Sequence, residues 1–137
     1  MRLKQRANGM PLCRTLYACD AKSIYPQKCV LRLSDIAFAK ICTKEAECRE
    51  AQIRYLKIIE DIEKTPELLA TLTAYLLDYE SNVSNTAKAL CCHLNTVKYR
   101  LNAIRDHTGY SPSKPTDAYP LLIAVAINRM KNSEDGV

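Results

Sequence analysis

The chain has 137 residues, 47% of them apolar and 26% charged, with only three Gly and six Pro. These proportions exclude collagen-like and linker-like chains, and the length leaves room for one compact domain, or a small domain with an appendage, but not for two full-sized enzyme folds. Twenty Lys and Arg against fifteen Asp and Glu give a net charge of +5, which permits a polyanionic partner without requiring one. No apolar run approaches the ~18 residues of a membrane span, and Met1 to Arg6 lacks the apolar stretch of a secretory signal, so a cytoplasmic protein with no membrane contact is expected.

The charge is unevenly placed: seven of the bases but only one acid, Asp20, fall before residue 33. Seven cysteines, an odd number without any C-x-x-C pair, argue against both a disulfide framework and a four-ligand zinc site. Reduced thiols acting as small hydrophobes are expected, with no metal and no cofactor.

Residues 1–27 show no trusted periodicity and are broken by Asn8-Gly9, Pro11 and Pro26, which reads as a basic, partly disordered leader. A solvated role for it is favoured over a phosphate-binding arm, because aromatic residues are sparse among its bases. Lys28 to Leu33 is a β-prone run, and Ser34-Asp35 then offers an N-cap for a short helix from Ile36 to Ile41. From Thr43 to Lys64 the chain reads as one amphipathic helix, with Ile53, Leu56, Ile59 and Ile62 recurring every three residues. That spacing is too short for a coiled coil, so packing on the rest of the chain is expected.

Thr65-Pro66-Glu67 is a helix start: a capping hydroxyl, a Pro at the first position and an acid at the positive end of the dipole. The helix carries Leu68, Leu69, Leu72, Leu76 and Tyr79 on one side and ends at Glu80-Ser81-Asn82. The domain boundary is placed just before Thr65. Ser84 then reads as the cap of a short helix to Leu90, with Val83, Ala87 and Leu90 inward.

A second helix starts near His93 and reaches about Asp106, with Val97, Leu101 and Ile104 on one buried stripe. At about 100° per residue from Val97, Asn95 falls at about 160°, Lys98 at about 100°, Tyr99 at about 200° and Asn102 at about 140°. A polar face on a surface helix is by default only solvated. Here a short helix and a tight turn precede it, and amides and cations are the groups that pair with adenine, guanine and phosphate, which is the chemistry of a helix-turn-helix reader.

Three words in register carry a resemblance: Glu67 to Leu76 (ELLATLTAYL), Asn82 to Leu90 (NVSNTAKAL) and Asn95 to Leu101 (NTVKYRL). With them, Pro66 to Met130 resembles the C-terminal helix-turn-helix domain of the PucR/CdaR family of bacterial transcription regulators, related in its core to the Fis-type motif. The resemblance implies a recognition helix from His93 to about Asp106, a supporting helix from Ser84 to Leu90, a helix stop at Thr108-Gly109-Tyr110 and a closing helix from Asp117 to Met130. In that closing helix Leu121, Leu122, Val125 and Ala126 would face the core, and Pro120 would sit close to the start. Carried over by residue, His93, Asn95, Thr96, Lys98 and Tyr99 would face bases, while Asn82, Ser84 and Arg100 would be placed for phosphates; Asn102 joins the reading face by its wheel position. The family usually has Arg immediately before the Asn-Thr pair, whereas Leu94 stands here, which removes a bidentate contact and offers at most a thymine methyl contact. Lys28 to Ile41, with the word Leu33-Ser34-Asp35-Ile36, is similar to the end of the regulator region that precedes this domain in the family.

The expected architecture is therefore mainly α: a leader (1–27), a strand-helix-helix α/β remnant of an upstream regulatory domain (28–64), a helix-turn-helix domain (65–132) and a tail (133–137). The expected function is sequence-specific binding of double-stranded DNA by a transcription regulator, as a homodimer on paired half-sites, with the effector left open. The competing reading is a protein interaction module, or a truncated regulator that binds no DNA, using Ile53 to Ile62 or the closing helix as an apolar patch. His93 reads as a helix cap or DNA contact and His107 as a cation near a helix C-terminus. Neither accompanies a nucleophile motif or a Gly-rich phosphate loop, so no catalytic role is expected. Cys92 is expected in the core and Cys91 at the surface of the turn.

Overall fold

The computed structural model describes residues 18–135. Among them every regular element is helical: α1 (18–24), α2 (Leu33–Glu47), α3 (Arg49–Ile58), α4 (Glu60–Glu63), α5 (Pro66–Thr73), a π-helical segment (Ala74–Asp78), α6 (Val83–Ala89), α7 (Leu94–Thr108) and α8 (Pro115–Asp135). The mainly α architecture is as expected. The strand at Lys28 to Leu33 is not there: Lys28 N–H turns back to Tyr25 O at 3.2 Å, Val30 is exposed, and no second strand exists among the described residues to form a ladder.

The leader also needs correction within the described residues. Residues 18–24 form a helix that buries Ala21 and Ile24 completely, so this part of the expected leader belongs to the core; residues 1–17 lie outside the described residues. The cap of α2 falls two residues earlier than Ser34. Arg32 takes the N-cap position, and Asp35, at the third helical position, accepts a hydrogen bond from Arg32 N–H at 2.9 Å. The Asp35 carboxylate is buried and also meets Lys28 Nζ at 2.9 Å.

The single helix expected from Thr43 to Lys64 is three pieces. Cys48 adopts an extended conformation (φ −84°, ψ 110°) and ends α2, and Ile59 (φ −99°, ψ 3°) separates α3 from α4. The breaks let α3 lie along α8 while α4 turns toward α5 and α7. As a result Ile59 and Ile62 are fully buried but Ile53 is 55% exposed, so the three-residue repeat is not one continuous core stripe.

Pro66 starts α5 as expected, but the Thr65 side chain makes no capping bond; its carbonyl accepts from Leu68 N–H at 3.0 Å instead. Beyond Thr73 the helix widens, with Tyr79 N–H donating to Ala74 O, five residues back, at 3.0 Å. The chain then reverses through Glu80 (φ 47°) and Ser81 (φ 63°).

From Leu121 to Ile127 α8 is apolar all round, and the helix buries Leu121, Ile123, Ala124, Val125, Ala126, Ile127 and Met130, which places this stretch at the centre of the fold. α2 and α3 cover it on one side and α5 with the π-helical segment on another. One hydrophobic cluster thus runs from Ala21 and Ile24 to Met130, across Thr65. The helix begins at Pro115, earlier than Asp117, and continues to Asp135, taking in most of the expected tail. Pro120 consequently lies inside it, five residues after Pro115, where it forgoes the helical bond to Thr116 O.

Candidate nucleic-acid interface

The polar face of α7 is held up by two short-range devices and one apolar stripe. α6 is capped by Asn82, not by Ser84: Asn82 Oδ1 accepts from Asn85 N–H at 2.9 Å, and both residue types compete for this role only two positions apart. Thr86, buried, donates its hydroxyl to Asn82 O at 2.7 Å, and Ala87 is buried beside it, so the small residues of α6 allow close crossing of α7.

A four-residue turn, Leu90 to His93, separates the two helices. Cys91 passes through it at φ 52°, in the left-handed region, and its N–H donates to Lys88 O at 3.2 Å; Cys92 N–H donates to Ala87 O at 3.0 Å. Cys91 is exposed, while Cys92 is half-buried and packed on the core. His93 then caps α7, its Nδ1 accepting from Asn95 N–H at 3.1 Å.

Val97 and Ile104 are fully buried and Leu101 nearly so, which fixes the opposite side of α7 as the outer one. On that side Asn95, Lys98, Tyr99 and Asn102 are all exposed, with Tyr99 at 73%, and His93 is exposed at the cap that precedes them. Thr96 is half-buried at the edge. Asn82 and Ser84 are exposed at the start of α6, the oxygen of Asn82 already engaged in its cap. Arg100 is not on this face: it is half-buried and its Nη1 donates to Thr71 Oγ1 on α5 at 3.3 Å. Leu94, in the place of the family's Arg, is half-buried against the core.

Sequence reading passed over two residues. Lys88 is exposed on α6 close to the turn, and only its charge marks it in the sequence. Thr71 lies 29 residues before Arg100, and nothing local connects them. Farther along α7, Arg105 is tied to Asp106 at 3.1 Å, so the cationic character of the outer face rests mainly on Lys98. Gly109 ends α7 at φ 82°, its N–H donating to Arg105 O at 2.8 Å, as the helix stop requires. Among the described residues, no cluster of three or more His, Cys, Asp and Glu could hold a metal ion.

The profile of the PucR C-terminal helix-turn-helix domain matches residues 68–127, from the first turn of α5 to the middle of α8. Residues 68–127 are a PucR C-terminal helix-turn-helix domain. The chain is also similar to uncharacterized proteins of Mycobacterium bovis and of two strains of Mycobacterium tuberculosis, each 43% identical over 65 residues. Those matches span 47% of this chain and 16% of each relative's length. No solved structure gives a significant match. The observed α6–turn–α7 unit lies wholly inside the matched PucR-type segment.

Proposed function

We propose that the chain is a cytoplasmic DNA-binding transcription regulator that presents α7 to the major groove of double-stranded DNA. The observation that carries this reading is the outer face of α7: Asn95, Lys98, Tyr99 and Asn102 are exposed together, free of core duties, on a helix braced by α6 inside a PucR-type domain. Asn95 and Asn102 supply amides for adenine edges, Lys98 a cation for guanine or phosphate, and Tyr99 a ring and hydroxyl; His93 and Thr96 flank them. Ser84 and Asn82 stand at the start of α6 toward the backbone, and Lys88 adds a charge beside the turn. Binding as a homodimer on paired half-sites completes the reading. The role is recognition rather than catalysis.

The test is a fluorescence-anisotropy titration of random-sequence duplex DNA at two salt concentrations. Phosphate neutralisation by the protein makes the affinity fall steeply with salt even without the operator. Absence of binding at low salt removes the regulator reading and leaves the interaction module. One observation favours that second reading: Ile53, 55% exposed, lies with Leu56 in an open groove of about 730 Å³ between α3 and the end of α8.

A further inference from the structure

The resemblance assigns Arg100 to phosphate, yet the side chain is turned the other way. On a wheel with Val97 at zero, Arg100 lies at about 300°, about 150° from the middle of the polar face and next to the buried stripe. Its Nη1 reaches Thr71 Oγ1 at 3.3 Å. Thr71 is completely buried in α5 and donates its own hydroxyl proton to Glu67 O at 2.7 Å, which leaves its oxygen as an acceptor for the guanidinium. Among the described residues no carboxylate forms an ion pair with Arg100, so the hydroxyl is the group that orients it.

We infer that Arg100 is a positioning residue: held by Thr71, it fixes the rotation of α7 about its own axis and does not touch DNA phosphate. The inference rests on the DNA-reading role of α7. The buried contacts of that helix are aliphatic, through Val97, Leu101 and Ile104, and apolar contact is non-directional. A rotation of about 10° displaces side-chain ends about 6 Å from the axis by about 1 Å, enough to spoil paired hydrogen bonds to a base edge. The Arg100–Thr71 bond supplies the direction that the aliphatic stripe lacks. It also joins α7 to α5, outside the α6–turn–α7 unit, so the reader is referenced to the body of the domain rather than to its partner helix alone.

The experiment starts with selection of a preferred site from a random duplex pool by the wild-type chain. Affinity for that site and for random duplex is then measured over a salt series for wild type, Arg100→Gln, Thr71→Val and the double variant, with thermal unfolding recorded for each. The expected result for Arg100→Gln is an unchanged slope of log affinity against log salt on random DNA, and a loss of about tenfold in preference for the selected site. Thr71→Val, which keeps the shape of the buried side chain, reproduces the loss and carries the test if Arg100→Gln does not fold; the double variant loses no more than either. A slope shallower by about one phosphate in Arg100→Gln overturns the inference, because Arg100 is then a backbone contact. Lower melting temperature with unchanged site preference overturns it as well, leaving a merely structural bond. Failure of the wild type to bind DNA at any salt concentration defeats the functional reading itself, and the inference with it.

Discussion

Arg129 and Asp78 are joined by two parallel hydrogen bonds, Nη1 to Oδ1 at 2.8 Å and Nη2 to Oδ2 at 3.0 Å, while Nη1 also donates to Ile24 O at 2.9 Å. One guanidinium on α8 thus holds the end of α1 and the last residue of the π-helical segment. Both side chains are about a quarter exposed or less, and a fork-shaped pair of this kind is stronger than a surface ion pair. Arg129→Met is expected to cost about 2 to 3 kcal/mol, since it strands a partly buried carboxylate. Urea unfolding measures the loss, and pairing the change with Asp78→Asn should give less than the sum of the two.

Two residues share the left-handed backbone region with opposite consequences. Gly109 (φ 82°) has open space around the site of an added Cβ, so Gly109→Ala meets only backbone strain and is expected to cost about 1 kcal/mol. Cys91 (φ 52°) already carries that strain in the helix-turn-helix turn. Cys91→Gly relieves it, partly offset by the greater freedom of glycine in the unfolded chain, and should gain about 0.5 kcal/mol. Thermal unfolding of the two variants should therefore move in opposite directions.

Burial alone pushes the Asp35 carboxyl up, but the hydrogen bonds from Lys28 Nζ and Arg32 N–H, with the charges of both bases, outweigh it and hold the group below its ordinary value of 3.8. A carboxyl whose folded pKa is depressed stabilises fully above its unfolded pKa and loses that contribution as pH falls through the folded one. Asp35→Asn is expected to cost about 1 to 2 kcal/mol near neutrality. The difference between variant and wild type should shrink as pH drops below about 4. Urea midpoints at pH 7, 4 and 3 check this, and a gap that stays constant would place the stabilisation elsewhere.

Lys98→Ala combined with Tyr99→Ala removes two exposed side chains that make no core contact, so the melting temperature should stay within about 2 °C of wild type. DNA affinity should fall at least tenfold, about 1.4 kcal/mol or more. Anisotropy titration compared with circular dichroism separates the two effects, and undiminished affinity would remove Lys98 and Tyr99 from the interface.

Much of the α6–turn–α7 unit was legible because its determinants are local. Val97, Leu101 and Ile104 set the buried side of α7 by spacing alone, and Gly109 and Pro66 mark a stop and a start through backbone chemistry that needs no partner. The region before Thr65 was read less well. Its β-prone run from Lys28 to Leu33 needs a neighbouring strand that its own residues do not reveal. The breaks at Cys48 and Ile59 carry no Gly or Pro and follow from how α3 and α4 pack on separate neighbours. Residues 18–24 show too few apolar positions to announce a helix, and Ala21 and Ile24 are buried only because α1 meets the core. The Arg100–Thr71 bond was equally out of reach, being a contact between residues on different helices.

The π-helical stretch from Ala74 to Asp78 is what brings Asp78 round to Arg129. A widened turn of this kind accommodates one residue more than an α-helical turn. Were the same residues wound as a regular α-helix, Asp78 would be turned by about 100° around the axis, away from Arg129. The fork between Asp78 and Arg129 thus depends on a single supernumerary residue that the widened turn absorbs.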